Sequence, residues 1–191
     1  MAFKPPVAVY DSCVLYPFDV RNLLVQFAFD RLVEARWTDE IHDEWIRTLV
    51  ANTPGLARSR LERTRDLMKQ AVPSADVSGY QQHIPRITLP DPGDRHVVAA
   101  GIAGGASIVV TWNLKDFPAT ELSRHGLTAQ SPDAFACDLH AADPTLVMAS
   151  VKNARANLQT SKPSAAQYLR ILGERNLAGF AAALRKHLRQ I

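Results

Sequence analysis

Two short β-branched apolar runs, Val7-Ala8-Val9-Tyr10 and Ser107-Ile108-Val109-Val110-Thr111, constrain this chain more than any other feature. Continuous apolar runs of this length, bounded by turn signals, read as strands buried on both faces, as in a parallel sheet covered by helices. Each run leads straight into polar residues that can bind: Asp11 after the first, and Trp112-Asn113-Leu114-Lys115-Asp116-Phe117 after the second. In an open α/β sheet, ligands sit outside the carboxyl ends of the strands, which is where these groups fall. Glu44 on a helix and Asp94 at the start of another add two more oxygen donors. An all-oxygen set suits a hard divalent cation such as Mg²⁺ or Mn²⁺, and a site of that kind mainly serves phosphoryl chemistry.

The elements between these runs follow from spacing and punctuation. The stripe Leu23, Leu24, Phe27, Leu32 and Val33 predicts a helix from about Asp19 through Arg36. Thr38 reads as the cap of the next helix, with Asp39 and Glu40 in its first turn and Ile41, Trp45 and Leu49 on its buried face. Thr53-Pro54 predicts the start of a charged helix that Pro73 stops, and Ile84 to Leu89 a short strand. Asp94 reads as the cap of a helix that buries Val97, Val98 and Ile102, has Gly101 for close packing and ends at Gly104-Gly105. After the strand 107–111, Pro118 opens a short helix ended by Gly126, Leu127 to Gln130 is a brief strand, and Ser131-Pro132-Asp133 caps another helix. The alternation implies a parallel sheet with helices on its faces. Beyond Asp143 the pattern is purely helical, so residues 1–142 are expected to form the α/β domain and 143–191 a helical C-terminal extension.

A chain of 191 residues fits one domain with such an appendage. No apolar run approaches the roughly 18 residues needed to span a bilayer, and Met-Ala-Phe-Lys-Pro-Pro has no apolar signal core, so a cytoplasmic setting is expected. Cys13 and Cys137 lack zinc-ligand spacing and are expected to be buried free thiols. Charge is uneven. Residues 151–191 hold eight basic side chains against one acid, and residues 1–150 hold 14 against 18. A basic extension beside an acidic body fits either phosphate contact or packing of the tail on the body.

Taken singly, each candidate has an ordinary explanation. Asp11 suits a turn, Glu44 stands among Asp39, Glu40 and Asp43 at an acidic helix start, Asp94 suits capping, and Asn113 and Asp116 suit a loop. Together they resemble the PIN-domain nucleases, including the VapC-type toxins of bacterial toxin–antitoxin pairs. The resemblance covers about residues 7–136. It rests on Val9-Tyr10-Asp11-Ser12-Cys13-Val14-Leu15-Tyr16-Pro17, on Asp43-Glu44-Trp45, on Asp91-Pro92-Gly93-Asp94-Arg95-His96-Val97-Val98-Ala99-Ala100, and on Val110-Thr111-Trp112-Asn113-Leu114-Lys115-Asp116-Phe117.

The resemblance implies a PIN-like three-layer α/β fold with a central parallel sheet, extended here by the basic helical segment. It maps the family's first three acids to Asp11, Glu44 and Asp94, and its fourth position to Asn113, with Asp116 the nearest remaining acid. It implies a Mg²⁺- or Mn²⁺-dependent endoribonuclease, the toxin of a type II pair, with RNA as substrate, a cognate antitoxin as partner and a homodimer as assembly. Ser12 and Thr111 are candidate positioning groups; Arg95 or His96 is a candidate contact to the substrate backbone, with an exposed first helical turn explaining both equally well. Two departures stand out. Cys13 replaces the family's usual amide, which would orient neighbouring carboxylates, and Asn113 replaces an acid. The alternative reading is therefore a catalytically silent PIN scaffold that binds RNA or a partner protein. Other chemistries fail on spacing: a HAD-type phosphatase needs Asp where Cys13 stands, a cysteine phosphatase needs Arg where Asp19 stands, and Asp11 to Pro17 lacks the glycines of a dinucleotide site.

Overall fold

A computed structural model describes residues 3–191. Val7–Tyr10 forms β1, followed by helices α1 (Ser12–Leu15) and α2 (Phe18–Phe29) and by strand β2 (Glu34–Arg36). Helices α3 (Asp39–Asn52), α4 (Arg58–Ala71) and α5 (Arg95–Ala103) lead to β3 (Ile108–Val110). Helix α6 (Ala119–Leu122) connects to β4 (Thr128–Gln130), and α7 (Pro132–Ala142), α8 (Pro144–Ala156), α9 (Ala165–Glu174) and α10 (Ala178–Leu184) complete the chain.

Among the described residues the strands form one four-stranded sheet in the order β2-β1-β3-β4, parallel throughout. Tyr10 pairs with Val110, and Val110 with Gln130, so these strands end level with one another. The chain leaves β1 toward β2 on one side and returns to β3 on the other. That reversal makes the gap beyond β1 and β3 the natural crevice of the sheet. Both faces are covered, as the apolar runs require. A Cβ on Gly101 of α5 would lie 3.3 Å from Val9 Cγ1 and from Leu127, so α5 covers one face at close range. On the other, Tyr10 donates to Leu24 O of α2 at 3.3 Å and meets the Phe135 ring of α7 edge-on.

The helix expected to run through Arg36 ends at Phe29 instead. Arg31 N–H reaches Ala28 O and Leu32 N–H reaches Phe27 O, with Arg31 at φ 61°, which is a complete Schellman closure built without glycine. The freed segment Glu34–Arg36 becomes the edge strand β2. Helix α4 starts at Arg58, not after Thr53, because Pro54 and Gly55 (φ 80°) form a turn closed by Leu56 N–H to Thr53 O. Ile84 to Leu89 is no strand either. Tyr80–Arg86 winds as a 3₁₀ helix, and the Thr88 N–H is taken by the Glu121 carboxylate at 2.9 Å in place of a neighbouring strand.

The C-terminal helices pack on the body. Leu169, Leu172, Leu177, Phe180 and Leu184 are all buried, and Phe180 meets Phe27 of α2 edge-on at 6.1 Å. Asn22 donates to Ala154 O at 2.7 Å, tying α2 to α8. Asp133 of α7 accepts the N–H groups of Gly179 and Phe180 at the start of α10. Of the eight basic side chains in this segment all but Arg155 are exposed, so the two expectations for the tail coexist: its apolar side is core and its basic side faces solvent. No helix among the described residues is long and apolar enough to cross a membrane.

Candidate active site

Asp11 is the first residue beyond β1. Its N–H donates to Val110 O at 3.1 Å, extending the ladder between β1 and β3 past the strand, and the residue is 4% exposed. The carboxylate is held from three sides. Thr111, buried just beyond β3, donates its hydroxyl to Oδ2 at 2.7 Å, the Cys13 thiol donates to the same oxygen at 3.1 Å, and Ser12 Oγ lies 3.4 Å from Oδ1. Thr111 Oγ1 also accepts the Asn113 N–H at 3.0 Å, so its own proton is committed to Asp11.

Cys13 turns out to be part of this arrangement and not a spectator. Its sulfur accepts the Trp112 N–H at 3.3 Å while its proton points at Asp11. Burial, followed by the Asp11 charge, pushes the thiol up to about 12, so it stays neutral and serves as a donor. The loss of the family amide at this position is thus answered by another donor. The only signal in the sequence was proximity: Cys13 shares a tight turn with Asp11, and at two residues' distance a thiol can reach back to it.

Glu44 leans off α3 and is fixed by His96 of α5, whose Nε2 stands 3.0 Å from Oε1. Burial alone would raise this carboxyl, but the His96 hydrogen bond and charge outweigh it, and it titrates below the usual range. His96 is only 3% exposed. The expectation of an exposed His96 in contact with substrate is therefore corrected, because the side chain is consumed between two helices.

Asp94 occupies the position before α5, yet its side chain caps nothing. The local cap is Asp91, whose Oδ1 accepts the Gly93 N–H at 2.7 Å. The capping explanation for Asp94 is corrected, and its carboxyl is left for the site. Burial, then the charges of Asp11, Asp91, Asp116 and Glu44, push it up to about 6. That repulsion comes from Asp11 just beyond β1, Asp91 in the turn before α5, Asp116 at the end of the 3₁₀ turn Leu114–Asp116 after β3, and Glu44 on α3. Asn113 is exposed, and its side chain makes no hydrogen bond among the described residues.

The donors are carboxylate oxygens, the chemistry a hard cation takes. Among the described residues no three His, Cys, Asp or Glu side chains converge closely enough to chelate an ion as they lie. Mg²⁺ keeps several waters and needs direct contact with one or two carboxylates. Asp11 and Asp94 could hold it, with Glu44 and Asp116 flanking, and a cation there would relieve the repulsion that raises Asp94.

A family model described as a PIN domain matches residues 8–115, and one described as the VapC50 C-terminal domain matches residues 132–186. The first span contains Asp11, Glu44, Asp94 and Asn113 and stops one residue short of Asp116. No curated protein and no solved structure matches the chain.

Proposed function

Because the chain belongs to the PIN-domain family, with a C-terminal domain of the VapC50 kind, we propose that it is a metal-dependent endoribonuclease and the toxin of a type II toxin–antitoxin pair. The observation that carries this reading is the Asp11 carboxylate held just beyond the paired ends of β1 and β3, with Asp94 near enough to Asp11, Asp116 and Glu44 for their charges to act on it. Asp11 is the best-held ligand, since Thr111 and Cys13 fix one of its oxygens. Asp94 and Glu44 complete the binding group, and Asp116 takes the fourth place in preference to the exposed Asn113. A bound Mg²⁺ or Mn²⁺ supplies polarisation of the phosphodiester and a lowered pKa for the attacking water. The carboxylates hold and orient; no protein nucleophile is required. With Asp116 near enough for its charge to act on Asp94, the amide at 113 is a weak argument for a silent scaffold. We also propose the division into a nuclease body, residues 1–142, and a basic helical extension, residues 143–191, in a cytoplasmic protein.

The antitoxin is part of the same proposal. A groove of about 460 Å³ runs between α2 and α4, flanked by the exposed side chains Phe18, Phe29 and Leu67, with the buried Arg21 among its lining residues. Apolar anchors beside a cation suit an amphipathic segment that carries a carboxylate.

Asp11→Asn and Asp94→Asn should each reduce Mn²⁺-dependent cleavage of RNA by at least about 100-fold, the scale on which precisely placed metal ligands and their supports act, while circular dichroism shows a folded protein. Cleavage at the wild-type rate by either folded variant would sink the assignment.

A further inference from the structure

The His96 imidazole, already seen to bond Glu44, has surroundings that specify its task. Glu40 and Glu44 lie one turn apart on α3, so their like charges repel along one helix face. His96 reaches from α5 to that face: Nε2 is 3.0 Å from Glu44 Oε1, and Nδ1 is 3.9 Å from Glu40 Oε2. Glu40 is anchored in turn by the Tyr80 hydroxyl, which donates to Oε2 at 2.7 Å. A carboxylate can only accept, so the imidazole proton toward Glu44 resides on Nε2. His96 also follows Asp94 by two residues on the same segment, so one short stretch of backbone carries an acid of the site and the support of another.

We infer that His96 is a positioning residue that sets where the Glu44 carboxylate stands relative to Asp94 and Asp11, and that it does so through its Nε2–H and not by touching RNA. This rests on the metal-dependent reading above. The geometry explains why a histidine is needed. A side chain from α5 must cross to α3 while itself buried, donate at the far end of a rigid ring, and tolerate a second acid near its other nitrogen. A longer flexible cation could pair with Glu44 but would not hold it in one place.

Mn²⁺ binding to the full chain, measured by calorimetry, tests the inference. His96→Ala should weaken binding by about 10- to 100-fold, the range seen when a residue supporting a metal ligand is removed. His96→Gln, whose amide nitrogen has about the reach of Nε2, should recover most of that loss. His96→Asn, which reaches only as far as Nδ1, should not. In a Glu44→Gln background His96→Ala should add little, because its partner has already gone. A folded His96→Ala protein with wild-type Mn²⁺ affinity overturns the inference, as do Gln and Asn variants that behave alike. Since those two variants differ only in reach, they decide the matter even if the Ala variant fails to fold. Absence of Mn²⁺ binding by the unaltered protein would instead defeat the metal-dependent reading itself, and the inference with it.

Discussion

At the scale of single residues, the acidic group is held together against its own charge. Asp94 shows this most directly, with burial and four neighbouring carboxylates lifting it from 3.8 to about 6. The folded chain therefore binds that proton more tightly than the unfolded chain. The resulting stability is fully present below 3.8 and is lost as pH rises through about 6, leaving an ionised cluster that costs stability at neutral pH. Asp94→Asn should remove this dependence. Without divalent cation the variant should match the wild type at low pH and melt several degrees higher at neutral pH, as expected where a site is built at the expense of stability. Added Mn²⁺ should raise the melting temperature of the wild type alone, through linkage to the folded state. Thermal scans across the pH range check both statements. A variant that melts below the wild type at neutral pH, without metal, would show that Asp94 is a structural residue.

At the scale of elements, two helices end in the same way with different residues. Helix α5 closes with Gly105 at φ 65°, Gly105 N–H reaching Ile102 O and Ala106 N–H reaching Gly101 O. Helix α2 closes identically with Arg31 at φ 61°. Only glycine adopts that conformation without a steric cost, about 1 kcal/mol or somewhat more for other residues. Glycine at 105 announces its helix end in the sequence; arginine at 31 conceals one, so the pattern through Arg36 reads as helix where β2 forms. Arg31→Gly should stabilise the protein and Gly105→Ala destabilise it, each by about 1 kcal/mol. A Cβ at 105 would meet nothing within 4 Å, so the second effect is conformational and not a clash. Urea midpoints measure the pair, and equal midpoints for all three proteins would refute the argument.

At the scale of the whole molecule, the basic C-terminal helices are part of the core as well as a charged exterior. Phe180 against Phe27, the Asn22 bond to Ala154 O, and Asp133 at the start of α10 join them to α2 and α7. Removing residues 143–191 would uncover Phe27 and the α2 face along with it. The fragment 1–142 should therefore aggregate or lose cooperative unfolding, even though every candidate site residue lies within it. Gel filtration and calorimetry test this, and a monodisperse, cooperatively melting fragment would show the extension to be dispensable for folding.

What could be read without coordinates were features carried by local pattern. The apolar runs at 7–10 and 107–111, short, β-branched and bounded by turn signals, read as buried strands, and a parallel sheet follows from their spacing by helices. Asp11 and the loop after Val110 are legible because polar groups at the ends of such runs must emerge at one end of the sheet, and Asp94 because it heads a helix with clear start and stop signals. Tertiary structure decided the rest. Glu34–Arg36 has no strand pattern of its own and is a strand only because β1 lies beside it. Asp116, at the end of one 3₁₀ turn, lies close enough for its charge to act on Asp94, which the loop sequence alone does not show. Cys13 became a donor to Asp11 only once β3 brought Thr111 and the Trp112 N–H to its side, and His96 found Glu44 only when α5 crossed α3. Each of these depends on contact between residues remote in the chain, which local propensity does not encode and packing does.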